Sequence, residues 1–530
     1  MTSASDLRKA LLGDGEIAVI DVREEWDFRQ NHLLAAVNIP LSRLEQLAGR
    51  LLPCKHAPIV VCDDGIDRLA RRVAQRFEWL GYTNVSILEG GTRAWQAAGH
   101  MLFAGSNVPS KAFGEFVEHA YRTPSIDADE LKAKIDASQD MVILDSRPWE
   151  EFRLMSIPGG IDCPGAELVY RASEQVPSPD TLIVVNCAGR TRSIIGAQSL
   201  RNAGYPNRVV ALRDGTMGWQ LAGWTVAEGA QAVAPAPSRS AIERSKLAAR
   251  DVADRAGVRR IDRAQFETFR KQRDRHTLYV LDVRTPQEFE AGHLPDSVHA
   301  FGGQLVQNTD QYIAVRGARI VLVDDTEVRA LMTASWLRQM GWDHVFVLAD
   351  GIVGEELKTG RDRGAMLGLE RCSAPSIQPS KLRTLLSADA VALIDLADAR
   401  KFVAGHIPGA WFAVRSKLPD GKEKLAGKQV VFTSSDGRFA KLAADEMRAD
   451  FPDAMALEGG TSAWIAAGYG LETGEDRLMH SRIESWSPYD AKSRTKEAML
   501  EYLKWEVALY DKVLQDGTVR FRMLADARPA

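Results

Sequence analysis

A phrase that recurs four times most constrains what this chain can fold into. LEGGTRAWQAAGH begins at Leu88, LRDGTMGWQLAGW at Leu212, LADGIVGEELKTG at Leu348 and LEGGTSAWIAAGY at Leu457. A second phrase stands upstream of each: IAVIDVREEWDF ending at Phe28, MVILDSRPWEEF at Phe152, LYVLDVRTPQEF at Phe289 and VALIDLADARKF at Phe402. Between them lies a β-branched apolar run, PIVVC to Cys62, TLIVVNC to Cys187, RIVLV to Val323 and QVVFT to Thr433. Such runs, bounded by turn residues, read as buried strands, and the Ala/Leu/Arg-rich stretches that follow read as helices ending at glycine. This rhythm predicts four tandem α/β domains, each a parallel β-sheet with helices on both faces. The length of 530 residues agrees, since one domain usually takes roughly 100–200.

The expected boundaries are 1–104, 105–230, a linker and charged helix over 231–256, then 257–364, 365–470, and a tail over 471–530. The Ala/Pro-rich stretch from Val226 to Ser240 reads as an exposed linker. The segment SNVPSKAFGEFVEHAYRTP between domains one and two has aromatic anchors and is expected to order against both. In the tail, Leu503, Val507, Tyr510 and Leu514 fall on one helical face, with Asp516-Gly517 as a stop. That helix is expected to dock on this chain or on a sister subunit, which makes a homodimer reasonable.

Lys and Arg total 67 against 71 Asp and Glu, so no broad basic face exists to neutralise a phosphate backbone, and nucleic-acid binding is disfavoured. No secretory pattern opens the chain and no stretch offers about 18 apolar residues, so a soluble, cytoplasmic protein away from membranes is expected. The cysteines Cys54, Cys62, Cys163, Cys187 and Cys372 form no paired spacing of a zinc site, and no metal is expected.

The D-[VS]-R-x(2,3)-E-[WF] phrase, the turns SIPGG, GHLPDS and GHIPGA, the cysteine closing the central strand and the L-x-G-G-x-x-x-W ending resemble the rhodanese family of sulfurtransferases. The match runs from residue 6 to 470. The resemblance implies a persulfide-carrying cysteine at the head of a six-residue active loop, here Cys187-Ala188-Gly189-Arg190-Thr191-Arg192-Ser193. Backbone N–H groups of such a strand-to-helix turn point into its centre and the helix start adds a positive field, so a thiolate or persulfide is stabilised there. Arg190 and Arg192 offer forked donors to an oxyanion. The implied chemistry moves sulfur from thiosulfate or a persulfide to cyanide or a thiol through Cys187, with no cofactor.

Cys62 heads the second candidate loop, but Asp63, Asp64 and Asp67 stand where domain two offers arginines and would oppose an anion. The spacing from Cys62 to Arg68 also fits the C-x5-R signature of cysteine phosphatases, a weaker reading against the same carboxylates. Domain three, with Val323-Asp324-Asp325 in the equivalent place, and domain four, with Phe432 or Thr433 at the cysteine position, lack a thiol. They are expected to be structural or recognition modules, and a non-catalytic binding scaffold is the alternative for the whole chain. Asp21, Asp145, Asp282 and Asp395, like His32, His293 and His406, are expected to stabilise turns, Trp95, Trp219 and Trp464 to pack in cores, and Cys163 to pack, with a resolving-thiol role as the minority reading.

Overall fold

The structure is a computed structural model and describes residues 1–66, 69–361, 364–425, 427–482 and 495–525. The β-branched runs form the predicted buried strands. In domain two the sheet order is Ser125–Ile126, Val209–Leu212, Leu182–Asn186, Met141–Asp145 and Ile161–Asp162, all parallel. Domains three and four repeat that order around Arg319–Val323 and Gln429–Thr433. Each central strand is buried on both faces, which is why it reads as a continuous apolar run rather than an alternation.

Domain one departs from the pattern. Its sheet is completed by Val315–Arg316 of domain three, which pairs antiparallel with Ile17–Asp21. Nearby, the Tyr279 hydroxyl donates to the Leu51 carbonyl at 2.5 Å and accepts from the Ala314 and Val315 amides. One continuous apolar core accordingly runs through domains one, two and three, whereas domain four has clusters of its own. Domain four is tied to domain one by a buried ion pair, Glu45 with Arg415 at 2.6 Å, and Arg76 also donates to Glu45 at 2.7 Å. Burial disfavours the Glu45 carboxylate, yet the two guanidiniums hold its pKa down at about 2.

The segment between domains one and two is a helix, Val108–Tyr121, packed against domain two, domain three and the tail. The Ala/Pro stretch is not free: Ala234 is buried and its amide donates to the Asp162 carbonyl, so this linker runs along the edge of domain two. The tail helix spans Lys496–Asp516 and stops at Gly517 as expected, and it docks on this chain. Its buried face differs from the predicted one. Met499, Leu503, Glu506, Leu509 and Val513 face inward, while Val507 and Leu514 are exposed. Two apolar arcs compete on this helix, and the packed one is the arc that includes a glutamate.

Candidate active site

Strand register decides which residue heads each loop. Asp145 pairs with Asn186, Asp21 with Cys62, Asp282 with Val323 and Asp395 with Thr433. The next residue is therefore Cys187 in domain two, Asp63 in domain one, Asp324 in domain three and Ser434 in domain four. The carbonyls agree: Thr216, Thr92 and Thr461 donate their amides to Cys187, Asp63 and Ser434. This moves the head of the loop one residue on from Cys62 and Val323, and to Ser434 in domain four where Phe432 or Thr433 was expected. Cys62 is the last residue of a strand, fully buried, and burial followed by the Asp21 charge pushes its thiol pKa well up.

The carboxylates that take the cysteine's place fill their own loops. Asp63 accepts from the amides of Gly65 at 2.8 Å and Ala70 at 2.9 Å. Asp324 accepts from the amides of Asp325 and Arg329, both at 2.8 Å. Both loops thus hold a built-in anion, the use to which convergent N–H groups at a helix start are suited. Asp67 and Arg68, on which the phosphatase spacing rested, lie outside the described residues.

Around Cys187 no carboxylate does this from within the loop. The strand Leu182–Asn186 delivers the cysteine, 2% exposed, to a turn that opens the helix Thr191–Asn202, which has no side-chain cap. Gly215 passes so close that a Cβ would lie 2.3 Å from the Cys187 carbonyl, and its φ of +54° is one that other residues rarely adopt. Glycine is required there.

Three elements close over the loop. Arg190 donates to Glu115 of the Val108–Tyr121 helix at 2.7 and 2.8 Å, to Glu118 of the same helix, and to Asp214 at 3.0 Å. Burial disfavours the Arg190 cation, but these carboxylates hold its pKa above the ordinary value. Arg192 donates to Glu151 at 2.7 and 2.8 Å and to Gln304 of the domain-three helix Gly302–Gln307 at 3.1 Å. Burial of Glu151 is outweighed by Arg192, so its pKa falls. Thr191 donates to Glu506 of the tail helix at 2.5 Å, and Lys111 lies 3.4 Å from the same oxygen. The other Glu506 oxygen is buried with no hydrogen-bond partner among the described residues.

The loop residues named from the sequence are therefore brought together, but the two arginines are already paired. Lys111, Glu115, Glu118, Gln304 and Glu506 carry no local motif and went unread. Glu506 alone left a signal, an acid spaced three residues from Leu503 and Leu509 on a face that is otherwise apolar. The remaining residues are structural. Asp21, Asp145 and Asp282 pair with the arginine two positions on at 2.6–2.8 Å. Asp395 lacks such an arginine, and burial raises its pKa to about 6. His32, His293 and His406 stack on Phe28, Phe289 and Phe402, and burial lowers the His32 pKa to about 4. The three tryptophans are buried, and Cys163 sits in the core with its thiol pKa pushed well up by burial. All five cysteines are free.

Four segments, residues 3–98, 127–222, 265–355 and 378–467, match the family model of the rhodanese-like domain. The chain belongs to the rhodanese-like family. A solved thiosulfate sulfurtransferase from Pseudomonas aeruginosa is 46% identical over 98% of this chain and 99% of its own, with a TM-score of 0.95. The thiosulfate sulfurtransferase of Azotobacter vinelandii is 27% identical over 32% of this chain and 68% of its own length. YrkF of Bacillus subtilis, a putative sulfur carrier protein, is 31% identical over 19% of this chain, which spans 54% of that relative. The near-complete overlay on the Pseudomonas structure includes the tail, so the helix closing the rhodanese-like loop belongs to a shared four-domain architecture.

Proposed function

We propose that the chain is a thiosulfate sulfurtransferase that works through a persulfide on Cys187. The observation that carries this reading is the contrast among the loops: two are filled by their own aspartates, whereas the loop at Cys187 presents a thiol and an uncapped helix start. The Cys187 thiolate attacks the outer sulfur of thiosulfate. The S–S bond of the donor breaks and sulfite leaves with the bonding pair, giving Cys187–S–S⁻. A thiolate or cyanide then takes the outer sulfur and returns the thiolate.

The amides of Ala188, Gly189, Arg190, Thr191 and Arg192 hold the charged sulfur. Arg192, which donates to Glu151 and Gln304, meets the donor's sulfonate. Arg190, bound by three carboxylates, acts instead as the clamp that shapes the loop. Kinship with the Pseudomonas enzyme supports thiosulfate as donor. Five free cysteines accord with a cytoplasmic setting, and no helix among the described residues is long and apolar enough to cross a membrane. The tail helix docks within the chain through its Met499–Val513 face, while Val507 and Leu514, on the face that favoured a dimer, stay exposed.

The test is protein mass and sulfite release after thiosulfate addition. A gain of about one sulfur atom is expected in wild type and Cys62→Ser and none in Cys187→Ser. A gain retained in Cys187→Ser would refute the assignment.

A further inference from the structure

The loop of domain four opens onto a cavity of about 340 Å³, walled on one side by Ser42, Arg43 and Gln46 of domain one. Two changes relative to its sister domains account for this opening. Six residues past the strand-ending aspartate stand Asp27, Glu151, Glu288 and, in domain four, Lys401. In domains two and three that acid grips the arginine five places after the head of the loop, Glu151 with Arg192 and Glu288 with Arg329, each at 2.7 Å. In domain four the arginine's place is taken by Phe439, so both members of the pair are replaced and the acid becomes a cation.

The head of the loop has changed as well. Asp63 and Asp324 fill their amide rings with a carboxylate, but Ser434 offers only a hydroxyl, 1% exposed, which accepts from the Ala440 amide at a long 3.4 Å. Its own proton meets no acceptor among the described residues. The following helix, Arg438–Glu446, starts without a side-chain cap. Around the opening, Arg43 pairs with Asp398 and Arg438 with Asp436, at 3.2 and 2.6 Å, and the more deeply buried Arg415 is neutralised by Glu45 and Glu446. Lys401, with no ion pair among the described residues, leaves the cavity with an excess of positive charge. Asp436 within the loop accepts the Arg438 amide at 3.1 Å, but the head of the ring, which carries a carboxylate in two sister loops, here carries none and stands beside an ammonium with no ion pair among the described residues.

We propose that this cleft is a noncovalent binding site for a small sulfur oxyanion, thiosulfate or sulfite. Serine at the head of the loop cannot carry sulfane sulfur, so the anion is held and not turned over. Thiosulfate and sulfite are chosen over other oxyanions because they are the donor and product of the reaction proposed for Cys187, and the inference rests on that reading for the identity of the ligand. The binding itself is measured apart from it.

The experiment is calorimetric titration of the full chain carrying Cys187→Ser, with thiosulfate, sulfite and phosphate in separate runs. This background forms no persulfide but keeps the amides and Arg192 of the domain-two loop, so the cleft is read as the component of binding that substitutions at Lys401 and Ser434 remove, whether or not Cys187 carries sulfur in the wild type. Thiosulfate or sulfite is expected to bind. Lys401→Glu, which restores the acid of the sister domains, and Ser434→Asp, which supplies a built-in carboxylate, are each expected to weaken binding at least about tenfold. Lys401 is exposed, so its variant tests the site without disturbing the core. Absence of binding, or an isotherm left unchanged by both substitutions, would overturn the proposal. Phosphate binding as tightly as the sulfur anions would overturn the assignment of the ligand.

Discussion

Replacing Glu506 with alanine tests whether the tail is part of the active loop. The side chain has no exposed surface, accepts the Thr191 hydroxyl at 2.5 Å and lies 3.4 Å from Lys111. Truncation strands a buried hydroxyl and an ammonium, and breaking a buried pair in this way costs ~3–5 kcal/mol. The second Glu506 oxygen has no partner among the described residues, so removing that desolvated atom offsets ~1–3 kcal/mol of the loss. The net expectation is destabilisation by about 2 kcal/mol. Glu506→Gln retains an acceptor for Thr191 and forfeits only the attraction for Lys111, so its loss should be smaller, ~1 kcal/mol. Thr191 opens the helix behind Cys187, and an ångström of displacement there should slow the sulfite burst about tenfold or more in the alanine variant. Urea midpoints and stopped-flow sulfite release measure the two effects. An alanine variant with wild-type midpoint and burst would refute the argument that the tail sets the loop.

Three further outcomes follow from particular contacts. Gly215→Ala should cost at least about 2 kcal/mol in urea unfolding and suppress the burst, because its φ is positive and its Cβ would meet the Cys187 carbonyl. Asp162 is pushed up to about 7, first by burial and then by the Asp145 charge. The folded state therefore binds more protons there than the unfolded state, and stability should fall as pH rises from about 4 to about 7; Asp162→Asn should flatten that slope in urea titrations. Tyr279→Phe deprives the Ala314 and Val315 amides of their acceptor and should destabilise the junction of domains one and three by ~1–3 kcal/mol, seen as faster proteolysis between them.

The four domains, their strands and the packing of Trp95, Trp219 and Trp464 were legible because each depends on local periodicity that repeats. The heads of the loops were not. PIVVC and TLIVVNC both close an apolar run with cysteine, and nothing in either string reveals that one thiol ends the strand while the other lies one step beyond it. Pairing with Asp21 and Asp145 fixes that difference, and pairing is a long-range property. The closure of the Cys187 loop was hidden for the same reason. Glu115 and Glu506 lie 75 and 315 residues from the loop residues they hold, and only packing brings them there. The tail face was misread because a helix with two apolar arcs gives periodicity no means of choosing, and the true arc contains the residue that composition marks as a surface acid.

The strand that domain three lends to domain one also bears on how the chain is made. Ile17 cannot meet Arg316 until some 300 residues have followed it, which at ribosomal speeds of about 5–20 residues per second is a wait of roughly 15–60 s. Throughout that interval the nascent first domain carries an open β-edge, the kind of surface that recruits other strands. Its last folding step therefore waits on the third domain rather than on its own sequence, and a chain cut near Ser238 would keep that edge exposed permanently.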